Sequence, residues 1–276
     1  MPPEVNTKLQ SAGKSTLNFL RQWKTIYSLT RILLLERHGA SFLGAYWVLI
    51  QPLVFALFYA FIFTVIYPVK FQLESNMSTN YLLYLLSGLI PWLTFQAVLV
   101  SSPASFTSNA NLIKNFSFPV ASFPIREVAV ALATWLVGTV VTLIVAFSFN
   151  LEGARMWPLL GFLLVIQVVA MIGWALFFAT VGVFIKDLGN VVAISAMPLL
   201  FLMPIVYTVD SAPVFFRLVI LFNPFSYMVM AYQDIYIYGY FAHPAAWFIF
   251  SLFAGFSLFM GLRTFRKSQS LLVGAL

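Results

Sequence analysis

The sequence predicts an all-α membrane protein with six transmembrane helices, an N-terminal amphipathic interfacial helix and short re-entrant gate helices on the outer side. Three observations carry that prediction. Apolar residues make up 62% of the 276-residue chain and charged residues only 8%, at a mean hydropathy of +0.95, whereas a soluble domain carries roughly a quarter charged residues. The chain divides into six charge-free runs, each near the roughly 20 residues that a helix needs to cross hydrocarbon. Lys and Arg gather in one set of connecting segments.

Residues 1–45 read as a cytoplasmic tail and an interfacial helix. From Thr16 to about Leu35, Phe19, Leu20, Trp23, Ile26, Tyr27, Leu33 and Leu34 fall on one helical face, and Arg21, Lys24, Ser28 and Arg31 on the other. A basic amphipathic helix with Trp and Phe on its apolar side lies in the headgroup plane. The first residues show none of the zones of a cleaved signal. Gly13-Lys14-Ser15-Thr16 imitates the end of a phosphate-binding loop, but Lys8 stands where that loop needs its first Gly. No other nucleotide-binding motif occurs, so ATP hydrolysis by this chain alone is not expected. Arg37 through Gly44 then turns the chain into the bilayer, with Gly39 and Gly44 allowing close backbone approach. Arg37 either snorkels to the interface or grips a phosphate-bearing headgroup through its planar fork.

The expected spans are Tyr46–Val69, Tyr81–Pro103, Val128–Phe149, Trp157–Ile185, Val191–Val209 and Pro244–Leu262. They make residues 46–262 the transmembrane domain and residues 263–276 a second cytoplasmic tail. The fourth run is overlong and should tilt. With the N-terminus in the cytoplasm, Lys8, Lys14, Arg21, Lys24, Arg31, Arg37, Lys114, Arg126, Lys186, Arg263, Arg266 and Lys267 fall inside, twelve in all. Only Lys70, Arg155 and Arg217, three residues, fall outside. Basic residues favour the cytoplasmic side, so both termini are expected there.

Two segments between the spans stand out. Residues 108–124, S-N-A-N-L-I-K-N-F-S-F-P-V-A-S-F-P, form a polar, half-amphipathic island. Asn109, Asn111 and Lys114 mark it as wetted, Leu112, Ile113, Phe116 and Phe118 give it an apolar side, and Pro119 ends any helix. The expectation is a loop that docks onto a soluble partner. Residues 218–241 are apolar enough for a seventh span, but Asn223-Pro224 interrupts them and Asp234 sits inside. A seventh span would also change the charge count from twelve against three to nine against six. Two short helices that dip from the outer face and return fit better. Irregular backbone survives at membrane depth only where protein or water covers it, which places this segment near a pathway.

Composition also excludes function classes. With no Cys there is no disulfide or Cys-based metal site. The net charge of +7 follows from the excess of cytoplasmic Lys and Arg, so nucleic acid is not the expected partner. The six runs hold no ionisable residue, which disfavours an ion-coupled carrier. Glu127 and Asp187 read as solvated helix-end partners of Arg126 and Lys186. No nucleophile set or metal spacing occurs, and His38 and His243 fall on opposite sides of the membrane. Aromatic residues reach 18%, and Tyr227–Tyr240 could offer ring faces and phenol hydroxyls to sugars along a path.

The motif order resembles a known family. Arg37, Leu43-Gly44, Trp47 and Gln51-Pro52 are followed by Ser87-Gly88-Leu89-Ile90-Pro91-Trp92, Asn109-Ala110-Asn111-Leu112-Ile113-Lys114 and Phe118-Pro119. Lys186-Asp187-Leu188-Gly189, Pro204-Ile205-Val206-Tyr207 and Asn223-Pro224 complete the series. This is similar to the membrane subunit of polysaccharide-exporting ABC transporters of the ABC-2 type (type V fold), which export O-antigen, capsule or wall teichoic acid. Many relatives have Arg-Asp in place of Lys186-Asp187. The resemblance implies a homodimer in the bacterial inner membrane with two copies of a separate ATPase, which carries the ATP and Mg; this chain binds no cofactor. It implies that Asn109, Asn111, Leu112, Ile113, Lys114 and Phe116 belong to a coupling helix. Arg37, Gly39, Ser41, Leu43 and Gly44 would lie near the pyrophosphate of an undecaprenyl-linked glycan. Tyr207, Asn223, Pro224, Tyr227 and Tyr232 would belong to an outer gate or glycan path. The alternatives are an ABC-2 exporter of a small molecule or lipid, and a membrane scaffold or glycan-handling enzyme subunit.

Overall fold

The computed structural model describes residues 47–62, 81–115, 119–149 and 152–275, which form helices joined by turns, with no strand among them. The expected interfacial helix, the Arg37–Gly44 turn and Phe116 lie outside the described residues. In chain order the helices are α1 (Trp47–Phe61), α2 (Tyr81–Ser101), α3 (Ala110–Asn115), α4 (Ser122–Phe149), α5 (Leu160–Phe184), α6 (Leu188–Phe201), α7 (Val214–Phe222), α8 (Pro224–Gln233) and α9 (Pro244–Ala275). Short 3₁₀ turns at Ser102–Ala104, Thr107–Asn109 and Glu152–Leu159 join them, and a π-helical turn, Asp234–Tyr238, extends α8.

Four described helical runs are long and apolar enough to cross a bilayer: Tyr81–Ala104, Ser122–Phe149, Ala154–Phe184 and Pro244–Gln269. The α7–α8 pair adds a fifth if its two helices, bent by 92°, count as one span. The run expected at Val191–Val209 is helical only to Phe201. Its 14 residues reach about 21 Å at 1.5 Å per residue, short of the roughly 30 Å hydrocarbon core. Helix α9 runs past Leu262, the expected end of the sixth span, through 32 residues to Ala275. Nothing between Leu262 and Ser270 breaks a helix, and Phe265 and Leu272 find apolar partners.

The main core gathers Leu83, Trp92 and Phe95 of α2, Trp135 of α4, Leu163 and Met171 of α5, Tyr232 and Tyr236 at α8, and Phe250 of α9. Helices in lipid gain little from excluding water, so backbones approach closely at small residues. At the α5–α9 crossing a Cβ added to Gly261 would lie 2.1 Å from the Gly173 carbonyl oxygen, and one on Gly173 would lie 2.4 Å from the Ser257 oxygen. The outward stripe of α9 runs Phe248, Leu252, Phe256, Phe259 at helical spacing and passes into exposed Arg263, Arg266 and Lys267. That is an apolar surface at rest in lipid, ending in the headgroup layer.

One charge expectation is corrected. Arg126 and Glu127 are not solvated: each is only 5% exposed. Helix α4 begins at Ser122, six residues before the expected span, so the pair lies in its first turns and faces protein. The Arg126 Nε lies 3.6 Å from Glu127 Oε1, and the guanidinium lies 5.2 Å from the centre of the Phe123 ring. Lys186 and Asp187 are exposed, as expected.

The α5–α9 contact is testable. Gly261→Ala should destabilise the chain by about 1–3 kcal/mol, the usual range for overpacking, seen as a lower melting temperature in detergent. Gly255→Ala on the same helix, where an added Cβ meets nothing within 4 Å, should leave that temperature unchanged.

Candidate functional site

Two assemblies at opposite ends of the bundle hold the residues of interest. At one end, α6 stops at Phe201 and residues 202–213 run without regular structure. Their carbonyls lack helical partners, and side chains from other elements supply the donors. Asn223 Nδ2 donates to Leu202 O at 3.2 Å, Gln233 Nε2 to Pro204 O at 2.7 Å and Tyr81 Oη to Val206 O at 2.9 Å. The Tyr84 hydroxyl lies 2.9 Å from Pro204 O and 3.0 Å from Tyr207 O.

Asn223 also shapes the bend. Its Oδ1 accepts from Phe225 N at 3.0 Å, capping α8, and Pro224 occupies the first helical position, where its missing N–H costs nothing. One residue therefore caps α8 and ties the α7–α8 corner to the end of α6. Tyr227 donates to Leu221 O at 2.6 Å and Tyr207 to Phe201 O, and both rings are half-buried. Leu199, Leu202, Leu218, Val219, Phe222 and Asn223 line an open groove of about 360 Å³ at this corner.

Tyr232 sits in the core, at 0% exposure, rather than on a path through this chain. Its hydroxyl donates to Gln167 Oε1 at 2.6 Å and accepts from Trp135 Nε1 at 3.2 Å, while Gln167 Nε2 donates to Pro91 O at 3.0 Å. The chain of bonds ties α2, α4, α5 and α8 together. Asp234, also 0% exposed, makes a second node. Its Oδ2 accepts from Trp247 Nε1 at 2.9 Å and His243 N at 3.1 Å, and its Oδ1 lies 2.8 Å from His243 Nδ1. Gly239, at φ 69°, takes the left-handed turn that ends the π-helical segment.

At the opposite end, α3 is a six-residue helix. Asn111 and Lys114 are exposed, and Leu112 is 37% exposed. Ile113, at 8%, turns inward to Phe106, Phe123, Leu176, Ala179, Val183, Phe265 and Leu272. The sequence grouped Leu112 with Ile113 on one apolar side, but successive helical residues point about 100° apart. Asn109 is half-buried and donates from Nδ2 to Ser105 O at 2.8 Å. The 3₁₀ turn Ser102–Ala104, which follows α2, is pressed onto α5, where a Cβ on Gly182 would lie 2.2 Å from Pro103 O. The outward surface of α3 thus presents the Asn111 amide, the Lys114 ammonium and Leu112 on an anchored base.

Sequence reasoning missed Gln167, His243 and Trp247. A lone Gln inside the apolar run Leu160–Phe184 was a usable signal, since polar groups in such helices bond across to neighbours. Trp247 carried none, because its role depends on where Asp234 folds.

These features define the class: an all-helical, multi-span membrane protein with an anchored amphipathic helix at one end and a broken helix pair at the other. The chain belongs to the ABC-2 type transporter family, whose pattern matches residues 24–237. It is similar to an O-antigen export system permease protein, RfbA, of Klebsiella pneumoniae, 30% identical over 207 residues that cover 74% of this chain and 76% of that one. RfbA of Myxococcus xanthus is 23% identical over 221 residues, covering 76% and 79%. The polysialic acid transport protein KpsM of Escherichia coli is 22% identical over 241 residues, covering 84% and 89%. The family expected from the motif order is the family found.

The core hydrogen-bond chain predicts non-additive mutations. Gln167→Leu and Tyr232→Phe should each lower stability in detergent by about 1–2 kcal/mol, the upper range for buried bonds between membrane helices. The double variant should lose clearly less than the sum, because both remove the same bond.

Proposed function

We propose that this chain is the permease subunit of an ATP-driven exporter that moves lipid-linked polysaccharide, of O-antigen or capsule type, across the bacterial inner membrane. The observation that carries the reading is the similarity, along 74–84% of the chain, to permeases named for O-antigen export and polysialic acid transport. The exposed polar surface of α3 on its buried Ile113 anchor supports a docking role for that segment. The reading includes six spans, both termini in the cytoplasm and a homodimer joined to two copies of a separate ATPase, which binds ATP and Mg.

In this mechanism ATP binding closes the two ATPases and presses on α3 of each permease. Asn111 and Lys114 make the polar contacts, with Asn109, Leu112 and Phe116 completing the docking segment and Ile113 passing the load inward. The movement opens a path between the permeases, and the bent α7–α8 pair at Asn223-Pro224 acts as the outer gate, with Tyr207 and Tyr227 at its corner. Arg37, with Gly39, Ser41, Leu43 and Gly44, receives the pyrophosphate of an undecaprenyl-linked glycan. Weak, repeated aromatic contacts suit a moving polymer, which one tight site would stall.

Replacing Asn111 and Lys114 together by Asp should leave the permease folded and uncouple the complex. Export of lipid-linked glycan into vesicles should fall at least tenfold, with ATP hydrolysis no longer stimulated by substrate. Full export by that variant would overturn the docking role.

A further inference from the structure

We infer that α9 is a connecting rod that carries the movement of the docking segment to the broken helix pair at the far end of the bundle. The inference rests on the docking role proposed for α3, and it assigns positioning roles to Asp234, Trp247, Phe265 and Leu272.

The two ends of α9 grip the two assemblies by different means. Near its first turn, the Trp247 indole and the His243 backbone both donate to one carboxylate oxygen of Asp234, in the π-helical turn that extends α8. That carboxylate is fully buried, so losing a donor leaves charge unmet in a low-dielectric setting. The grip is therefore specific in position and orientation. Near its other end, Phe265 and Leu272 pack into the apolar cluster that holds Ile113 of α3 and Phe106 just before it, with the Phe106 and Phe265 rings 6.1 Å apart.

Between the two grips the helix is unbroken and contains no Pro after Pro244. Trp247 and Phe265 are 18 positions apart, about 27 Å at 1.5 Å per residue, or nearly the full hydrocarbon thickness. Helix α2 also links the two ends, but Pro91 interrupts its hydrogen-bond ladder and its flanks are buried on most sides. Helix α9 keeps one long side against lipid, so its outer flank can move without displacing another helix, while its close glycine crossing with α5 holds the two helices together. A rod needs stiffness, a fixed joint at each end and one free flank, and α9 has all three.

The natural sequence has no Cys, so single introduced thiols can report on each end. Thr107→Cys, exposed beside α3, and Tyr240→Cys, exposed beyond the π-helical turn, would each take an environment-sensitive fluorophore before assembly with the ATPase in proteoliposomes. In the otherwise unaltered complex both labels should respond to ATP. Phe265→Ala should keep the Thr107→Cys response and ATP hydrolysis within about twofold, while the Tyr240→Cys response and export fall at least fivefold. Phe265→Leu should restore both. Trp247→Phe, which keeps the ring against Phe241 and removes the indole N–H, should give the same split from the other end, and it serves if Phe265→Ala does not assemble. An undiminished Tyr240→Cys response in these variants would overturn the rod. No ATP response from Thr107→Cys in the unaltered complex would instead overturn the docking role on which the rod depends.

Discussion

Backbone polar groups cannot be left bare where water is scarce, and the architecture of one end of this protein follows from that constraint. Once α6 stops at Phe201, the carbonyls of residues 202–207 need donors from elsewhere. Lipid offers none, and leaving such groups unmet costs several kcal/mol each. Tyr81 and Tyr84 supply hydroxyls from α2, Gln233 an amide from α8, and Asn223 an amide from the α7–α8 corner. The same bonds that make an irregular segment tolerable thus fix where α8 lies against α2. The 92° corner and the unwound segment form one unit, because Asn223 caps one and holds the other.

Buried charge is treated with the same economy. Asp234 meets three donors from α9 and the turn before it, so its burial is compensated only while α9 stays in place. Arg126 and Glu127 stand side by side in α4, with the guanidinium over the Phe123 ring. Phe123 in turn belongs to the cluster that receives Ile113 and Phe265. A buried pair is not by itself a source of stability; its value here is to fix the start of α4, shortly after α3. Each end of the bundle therefore has a polar node that makes position matter, set in an apolar surround that would otherwise allow sliding.

Much of this was legible in the sequence because it depends on local pattern. The long apolar runs gave four helices, two with boundaries close to those found, while α4 starts earlier and α9 ends later than expected. Asn223-Pro224 announced a cap and a corner, since those residue types favour the cap and first helical position. The polar island at 108–124 showed a short helix with Asn111 and Lys114 exposed. What local pattern could not show was partnership at long range. The early end of α6 follows from Pro204, which cannot continue a helix. The unwound carbonyls are met by donors from α2, α8 and the α7–α8 corner, partners that the apolar run Val191–Val209 did not reveal. Tyr232 looked like a path residue because a Tyr in a broken segment has no visible partner until Gln167 is placed beside it. Arg126 and Glu127 read as solvated because charged neighbours at a helix start usually are, and the folded protein around the start of α4 covers them.

The described surfaces also bear on where a glycan could travel. A sugar polymer needs hydroxyl partners along its whole length, together with flat apolar faces. The groove at the α7–α8 corner is lined by five apolar side chains and Asn223, and Asn223 already spends its amide on Leu202 and Phe225. That chemistry suits a hydrocarbon chain and not a glycan. The tyrosines nearest the corner are likewise occupied, since Tyr81, Tyr84, Tyr207, Tyr227 and Tyr232 all donate within the chain. Aromatic rings left open lie farther out, at Phe215, Phe222 and Phe241. A path built from those rings runs along the outside of one copy, and it becomes a channel only when a second copy closes the other wall. The homodimer proposed above would supply that second wall.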